Sequence, residues 1–175
     1  ALINAGAQRL RHLSPFGAKL VAMGYCFGGS MVLELARHPG RGASLGLTFT
    51  AVASFHGTLS AYANEVAGLS EIQTDVQVHH AELDFQGDVA LEALKSELKR
   101  GTNGTDAQWQ VNYYSKVKHG WTEPGTAVYN ARAAVQSHKS AFEFFEMSLR
   151  LVDPATDPFP VSPFCQQQSP TSLRI

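Results

Sequence analysis

Cys26 is one of only two cysteines in the chain, and it stands in the run Gly24-Tyr25-Cys26-Phe27-Gly28-Gly29. The apolar stretch Leu20-Val21-Ala22-Met23 precedes it, and Ser30 to Arg37 follows with apolar residues at helical spacing, which predicts a strand-to-helix turn. Glycines on both sides of one reactive residue suit a strained turn that thrusts the residue out above a sheet. A thiolate at a helix N-terminus is favoured by unpaired N–H groups and the positive end of the dipole, so it can attack an ester-type carbonyl near neutral pH. The structural alternative is a small buried cysteine on a turn that packs a helix close to a sheet.

A nucleophile needs a base and a group to orient that base. His119-Gly120 opens a loop after the β-favouring run from Trp109 to Val117, and Asp84 follows the run from Val76 to Ala81. The order nucleophile, acid, base is that of α/β-hydrolase triads. His119 would take the Cys26 proton or hold the thiolate, and Asp84 would fix the imidazole tautomer. The backbone N–H of Phe27 would give one oxyanion donor. Asp84 competes with a capping or loop role, although Asp88 reads as the cap of the next helix. His79 and His80 lie inside a strand, and His138 falls on an apolar helix stripe, where a packed core histidine is expected. His56, at the end of the run from Leu47 to Phe55, is a candidate pocket-lining residue, as are Tyr25, Phe85 and Trp121. His80, Glu82 and Asp84 alternate and would share one face of a strand, which gives a weaker, metal-dependent reading; nothing else calls for a metal or cofactor.

Strands alternating with helices predict an α/β fold, a parallel sheet with helices on both faces, where such groups collect at the C-terminal ends of the strands. The expected helices cover Leu2 to Leu13, Gly28 to Arg37, Asp88 to Arg100 and Thr126 to Leu149. The last should bury a stripe of Val128, Ala131, Val135, His138, Phe142, Phe145 and Leu149. A polar, small-residue loop from Thr58 to Thr74 could wall a pocket. Beyond residue 151 the chain holds five of its eight prolines, so residues 152–175 are expected to form a disordered tail to a domain spanning 1–151.

With 175 residues, 44% of them hydrophobic, the chain can bury a sizeable core. A net charge of −1 and scattered basic residues argue against nucleic acid and anionic membrane as partners. No apolar run reaches a membrane span, and the start lacks a secretory signal. Two cysteines, Cys26 and Cys165, make no disulfide framework, so a reducing, cytoplasmic compartment is expected. The oligomeric state is left open.

Together, Gly-Tyr-Cys-Phe-Gly-Gly, Asp84 after a strand, and His119-Gly120-Trp121 before a long helix resemble the dienelactone hydrolase family over about Ala18 to Leu149. The resemblance implies an α/β-hydrolase with Cys26 as nucleophile, Asp84 as acid and His119 as base, acting on a small ester or lactone through a thioester. Trp121 stands where the family often has an aromatic residue. Two departures from the family pattern stand out. Its degradative members carry an arginine shortly after the catalytic histidine to hold a substrate carboxylate, whereas here Glu123 comes first and the next arginine is Arg132. The family also has several strands before the elbow strand, carrying a second oxyanion donor and a glutamate that meets the resting thiol. Only 17 residues precede Ala18, so the C-terminal part of the domain without its N-terminal strands is expected. The alternative function is a truncated, non-catalytic binding protein of the same fold.

Overall fold

The computed structural model describes residues 6, 9, 19–38, 49–61 and 71–149. Four strands, β1 (Leu20–Tyr25), β2 (Phe49–Phe55), β3 (Asp75–Leu83) and β4 (Trp109–Lys118), form one parallel sheet in the order β1-β2-β3-β4. Three helices are described with it: α1 (Phe27–Arg37), α2 (Gly87–Gly101) and α3 (Ala131–Leu149). The central strands β2 and β3 are buried on both faces, so Val52, Val76 and Val78 lie beside buried polar Ser54, Gln77, His79 and His80. Val52, Val76 and Val78 pack with Val32, Leu33 and Ala36 of α1 and with Leu91, Leu94 and Leu98 of α2. On the opposite face Ala51, Ala53 and Phe55 meet Ala141, Phe144 and Phe145 of α3. Period-two alternation in the strands thus divides the core into two layers, as expected for an α/β sheet.

Arg37, only 2% exposed, ties α1 to its surroundings. Its guanidinium donates to both carboxylate oxygens of Glu97 on α2 (2.6 and 2.9 Å), to Glu34 (2.9 Å) and to the Leu59 carbonyl (2.5 Å). The last bond fixes the chain just after β2, and a buried cation is tolerated because its donors are matched.

Several boundaries and one helix face differ from expectation. α3 begins at Ala131, five residues later than Thr126, because residues 126–130 form turns and the Asn130 side chain accepts the Ala133 N–H (3.0 Å) as its cap. Its buried face is Ala133, Ala134, Ser137, Ala141, Phe144 and Phe145, while Val135 is 68% and Phe142 58% exposed. The expected stripe thus keeps Phe145 but not Val135 or Phe142, because the face turned to the sheet mixes small residues with Phe144 and Phe145. Asp88 does not cap α2, whose N-cap residue is Gln86; the Asp88 carboxylate instead accepts the Tyr113 hydroxyl (3.0 Å). The pairing of β3 with β4 shifts register between Ala81 and Leu83, where Lys116 has φ 59° and donates its N–H to Glu82. Such a bulge re-aims the end of β4 and the loop that follows. Of the expected helix over Leu2 to Leu13 only Gly6 and Arg9 are described, both helical; the tail from 152 and most of the Thr58 to Thr74 loop lie outside the described residues.

Candidate active site

Each of the four strands hands over directly to a polar residue: Cys26 after β1, His56 after β2, Asp84 after β3 and His119 after β4. Cys26 is a non-glycine residue at φ 49° and ψ −118°, a conformation held only because the surroundings dictate it. Its N–H donates to the Phe55 carbonyl (3.0 Å) and its carbonyl accepts the Ser30 N–H (3.1 Å) and hydroxyl (3.2 Å). The turn closes this tightly because of Gly24, where a Cβ would overlap the Gly28 carbonyl, and Gly29, where it would press on the Phe55 carbonyl and the Ser54 hydroxyl. Gly28 has no such neighbour.

Three hydrogen-bond acceptors converge on the sulfur. His56 Nδ1 lies 3.2 Å from Cys26 Sγ, His119 Nε2 lies 3.6 Å away, and the thiol donates to Glu123 Oε1 at 3.6 Å. The resting group is therefore the thiol, and burial, followed by the charge and hydrogen bond of Glu123 and the charge of Asp84, raises its pKa above the ordinary value. On the far side of His119, Nδ1 donates to Asp84 Oδ2 at 2.8 Å, which leaves Nε2 as the lone-pair nitrogen facing the sulfur. The Asp84 side chain is fully enclosed, and its second oxygen accepts the Gln86 backbone N–H (3.2 Å). Gln86 in turn donates to the Gly57 carbonyl (2.9 Å) and accepts the Leu59 N–H (2.7 Å), so one residue links Asp84 to the chain behind His56.

His56 is buried, has φ 40°, and is fixed by its own N–H to the His79 carbonyl (3.0 Å). Nδ1 accepts the Cys26 N–H at 3.2 Å, so the ring proton sits on Nε2 and is donated to Thr122 Oγ1 at 2.8 Å. Burial, with help from nearby His119, lowers the His56 pKa from 6.5 to about 4, so the ring is neutral at physiological pH. The other pocket candidates are spread around this core. Phe85 is 76% exposed with its ring 5.0 Å from that of His119. Tyr25 is partly exposed, stacks on Phe55 and donates its hydroxyl to His138 Nε2 (2.8 Å). Trp121 is fully buried, packed with Val117, Ala133 and Ala134, and makes an edge contact with His56.

Sequence reasoning passed over Glu123, Thr122 and Gln86 as members of the site. Glu123 and Thr122 arrive by a turn in which the Glu123 N–H bonds the Gly120 carbonyl (3.1 Å), with Gly120 at φ 81°. That glycine after the histidine was the available signal. The metal reading built on His80, Glu82 and Asp84 does not assemble among the described residues, since Glu82 accepts from Lys116 and Asp84 holds His119. Cys26 Sγ, His56 Nδ1 and His119 Nε2 do lie within 4.8 Å of one another, close enough to hold one metal ion.

The chain is similar to an uncharacterised protein of Caenorhabditis elegans, 29% identical over 136 residues that make up 73% of this chain and 79% of that one. Among solved structures it is similar to a dienelactone hydrolase-like promiscuous phosphotriesterase, P91, from metagenomic libraries (32% identity, TM-score 0.61, covering 77% of this chain and 54% of the other). Esterase 2 of Thermogutta terrifontis, in a form phosphorylated by paraoxon, shares the fold at 15% identity with a TM-score of 0.62, covering 83% of this chain and 60% of its own. The chain thus spans little more than half the length of these solved relatives. Among the described residues no helix is long and apolar enough to cross a membrane. The pattern of the dienelactone hydrolase family matches residues 3–149, and the chain belongs to that family.

Proposed function

We propose that the chain hydrolyses a small carboxylic ester or lactone, with Cys26 as nucleophile, His119 as base and Asp84 as its orienting acid. The observation that carries this reading is the line Asp84 Oδ2, His119, Cys26 Sγ, with the imidazole bonded on one side and its lone pair on the sulfur on the other. His119 Nε2 takes the thiol proton as sulfur attacks the carbonyl carbon, and the tetrahedral oxyanion meets the Phe27 N–H at the start of α1. Collapse expels the alkoxide, which takes the proton back from the imidazolium and leaves a thioester. Water, deprotonated by His119, then attacks the thioester and releases the acid and the thiol. Glu123 near the sulfur disfavours substrates bearing a carboxylate there, so a neutral ester or lactone suits the site.

The relative named as a phosphotriesterase adds a second substrate class, a neutral phosphotriester, whose phosphorus presents a tetrahedral centre to the same sulfur. A thiol nucleophile also suits a reducing, cytoplasmic compartment. Residues 1–151 are taken as the hydrolase domain and 152–175 as its appendage. The test is hydrolysis of a p-nitrophenyl ester by the full-length protein, followed by intact-mass analysis. Wild type should show a burst and an acyl adduct, both lost in Cys26→Ala; unchanged turnover in that variant would sink the nucleophile assignment. A stable protein with neither burst nor turnover would instead support the non-catalytic binding reading.

A further inference from the structure

We propose that Cys26, His56 and His119 form a site for one thiophilic divalent cation of the zinc class, and that occupation of this site switches the hydrolase off.

The donor chemistry comes first. One sulfur and two imidazole nitrogens are the ligand types that zinc prefers over oxygen-rich cages. The sulfur–nitrogen spacing fits as well: Sγ is 3.2 Å from His56 Nδ1 and 3.6 Å from His119 Nε2, and all three atoms lie within 4.8 Å of one another. With Zn–S about 2.3 Å and Zn–N about 2.0–2.1 Å at tetrahedral angles, ligand atoms stand roughly 3.5 Å apart; the two sulfur–nitrogen distances already match this, and the two ring nitrogens, up to 4.8 Å apart, draw together by roughly 1 Å when the cation binds.

Orientation is fixed from outside. The nitrogen of each ring that faces away from the sulfur is already hydrogen-bonded, His119 Nδ1 to Asp84 Oδ2 at 2.8 Å and His56 Nε2 to Thr122 Oγ1 at 2.8 Å. Outer partners of this kind set the tautomer and aim the other nitrogen, and in metal sites they are as much a part of the centre as the ligands. Here they leave both inward nitrogens with lone pairs directed at the sulfur.

The local count of donors and acceptors then points to a cation. His56 Nδ1, His119 Nε2 and Glu123 Oε1 all converge on a sulfur that has one proton to give. A divalent ion in its place satisfies several lone pairs at once. The Cys26 N–H, which also reaches His56 Nδ1, keeps its bond to the Phe55 carbonyl at 3.0 Å. The sulfur binds as thiolate, so its proton passes to solvent, and the Glu123 carboxylate either fills the fourth position or balances the remaining charge. Inhibition follows because the cation occupies the sulfur and the His119 lone pair that attack on a carbonyl requires. This inhibitory half rests on the hydrolase reading above; the binding half does not.

The test uses the full-length protein, stripped with chelator and titrated with Co2+ and then Zn2+. The expected result is one Co2+ per chain with a near-ultraviolet thiolate charge-transfer band and the visible bands of a tetrahedral ion, displaced by Zn2+. The band should vanish in Cys26→Ser, and Zn2+ affinity should fall at least tenfold in His56→Gln and in His119→Gln. Ester hydrolysis should decline in step with occupancy and return on adding EDTA. Absence of the charge-transfer band, or Zn2+ affinity unchanged in both histidine variants, overturns the site. Activity that rises with Zn2+ overturns the inhibitory assignment. The band in a protein whose metal-free form never cleaves esters upholds the site while removing the hydrolase reading, so the two failures are told apart.

Discussion

Glu123 Oε1 and Cys26 Sγ lie 3.6 Å apart, the same separation as His119 Nε2 from that sulfur, so an anion and a base compete for one proton. The carboxylate is, after burial, the main influence raising the thiol pKa. In chelator-treated protein, Glu123→Gln should therefore lower that pKa and speed alkylation of Cys26 by iodoacetamide severalfold at pH 7.5. A slower reaction in the variant would show that Glu123 activates the sulfur rather than holding its proton.

Asp84 reaches the sulfur only through His119. An amide in its place offers either an oxygen or an N–H to Nδ1, and the wrong choice turns the Nε2 lone pair into an N–H. Asp84→Asn should lower kcat on an aryl ester by roughly 10³–10⁴ while leaving the fold intact, the scale seen when a triad acid is neutralised. Activity within tenfold of wild type would remove Asp84 from the machinery.

The two glycines flanking Cys26 on the pattern Gly-x-Cys-x-Gly are not equivalent. A Cβ at Gly24 meets the Gly28 backbone, whereas a Cβ at Gly28 meets nothing within 4 Å. Gly24→Ala should cost about 2 kcal/mol or more through overpacking and displace the elbow. Gly28→Ala, in the first turn of α1, should be neutral or stabilise by up to about 1 kcal/mol because it restricts the unfolded chain. Thermal melts of the two variants check this, and equal losses would mean the elbow is not packed as described.

His79 is enclosed between Phe55 and Tyr114, with Nδ1 accepting the Tyr114 hydroxyl (2.9 Å) and Nε2 donating to Gln77 (2.8 Å). Burial, with the charge of His138, lowers its pKa from 6.5 to about 3, and His56 falls to about 4. Both pKa values are depressed on folding, so the unfolded chain binds more protons below pH 6.5. The stability due to their neutral forms is thus full above pH 6.5 and drains away as pH falls through 4 towards 3. The melting temperature should drop over that window, and His79→Gln should flatten the acid limb. An unchanged slope in the variant would assign acid sensitivity elsewhere.

Much of the site could be read from the chain because each strand is a β-favouring run and the residue after it is polar. Cys26, His56, Asp84 and His119 all announce themselves in that way. What could not be read depends on distance across the fold. The contact of His56 with the sulfur comes from left-handed backbone at both residues, φ 40° and φ 49°, and no residue type demands that. Glu123 stands where the family pattern has an arginine, yet the turn at Gly120 folds it onto Cys26. Trp121 looked like a pocket wall because it is aromatic and beside His119, but one position in a turn separates a wall from a core. The face of α3 is only partly legible because Ala134, Ser137 and Ala141, which share it with Phe144 and Phe145, carry little hydrophobic signal.

The strand order β1-β2-β3-β4 puts Cys26 and His119 at opposite borders of the described sheet. Three strand spacings amount to about 14 Å, yet Cys26 Sγ and His119 Nε2 are 3.6 Å apart. The segment from His119 to Asn130 is therefore a cantilever anchored at β4, pinned where the Asn130 N–H bonds the Trp121 carbonyl at 3.0 Å. A change in the length or stiffness of that arm would move His119 relative to the sulfur without disturbing a single strand, so it is the part of the chain through which their separation can be tuned.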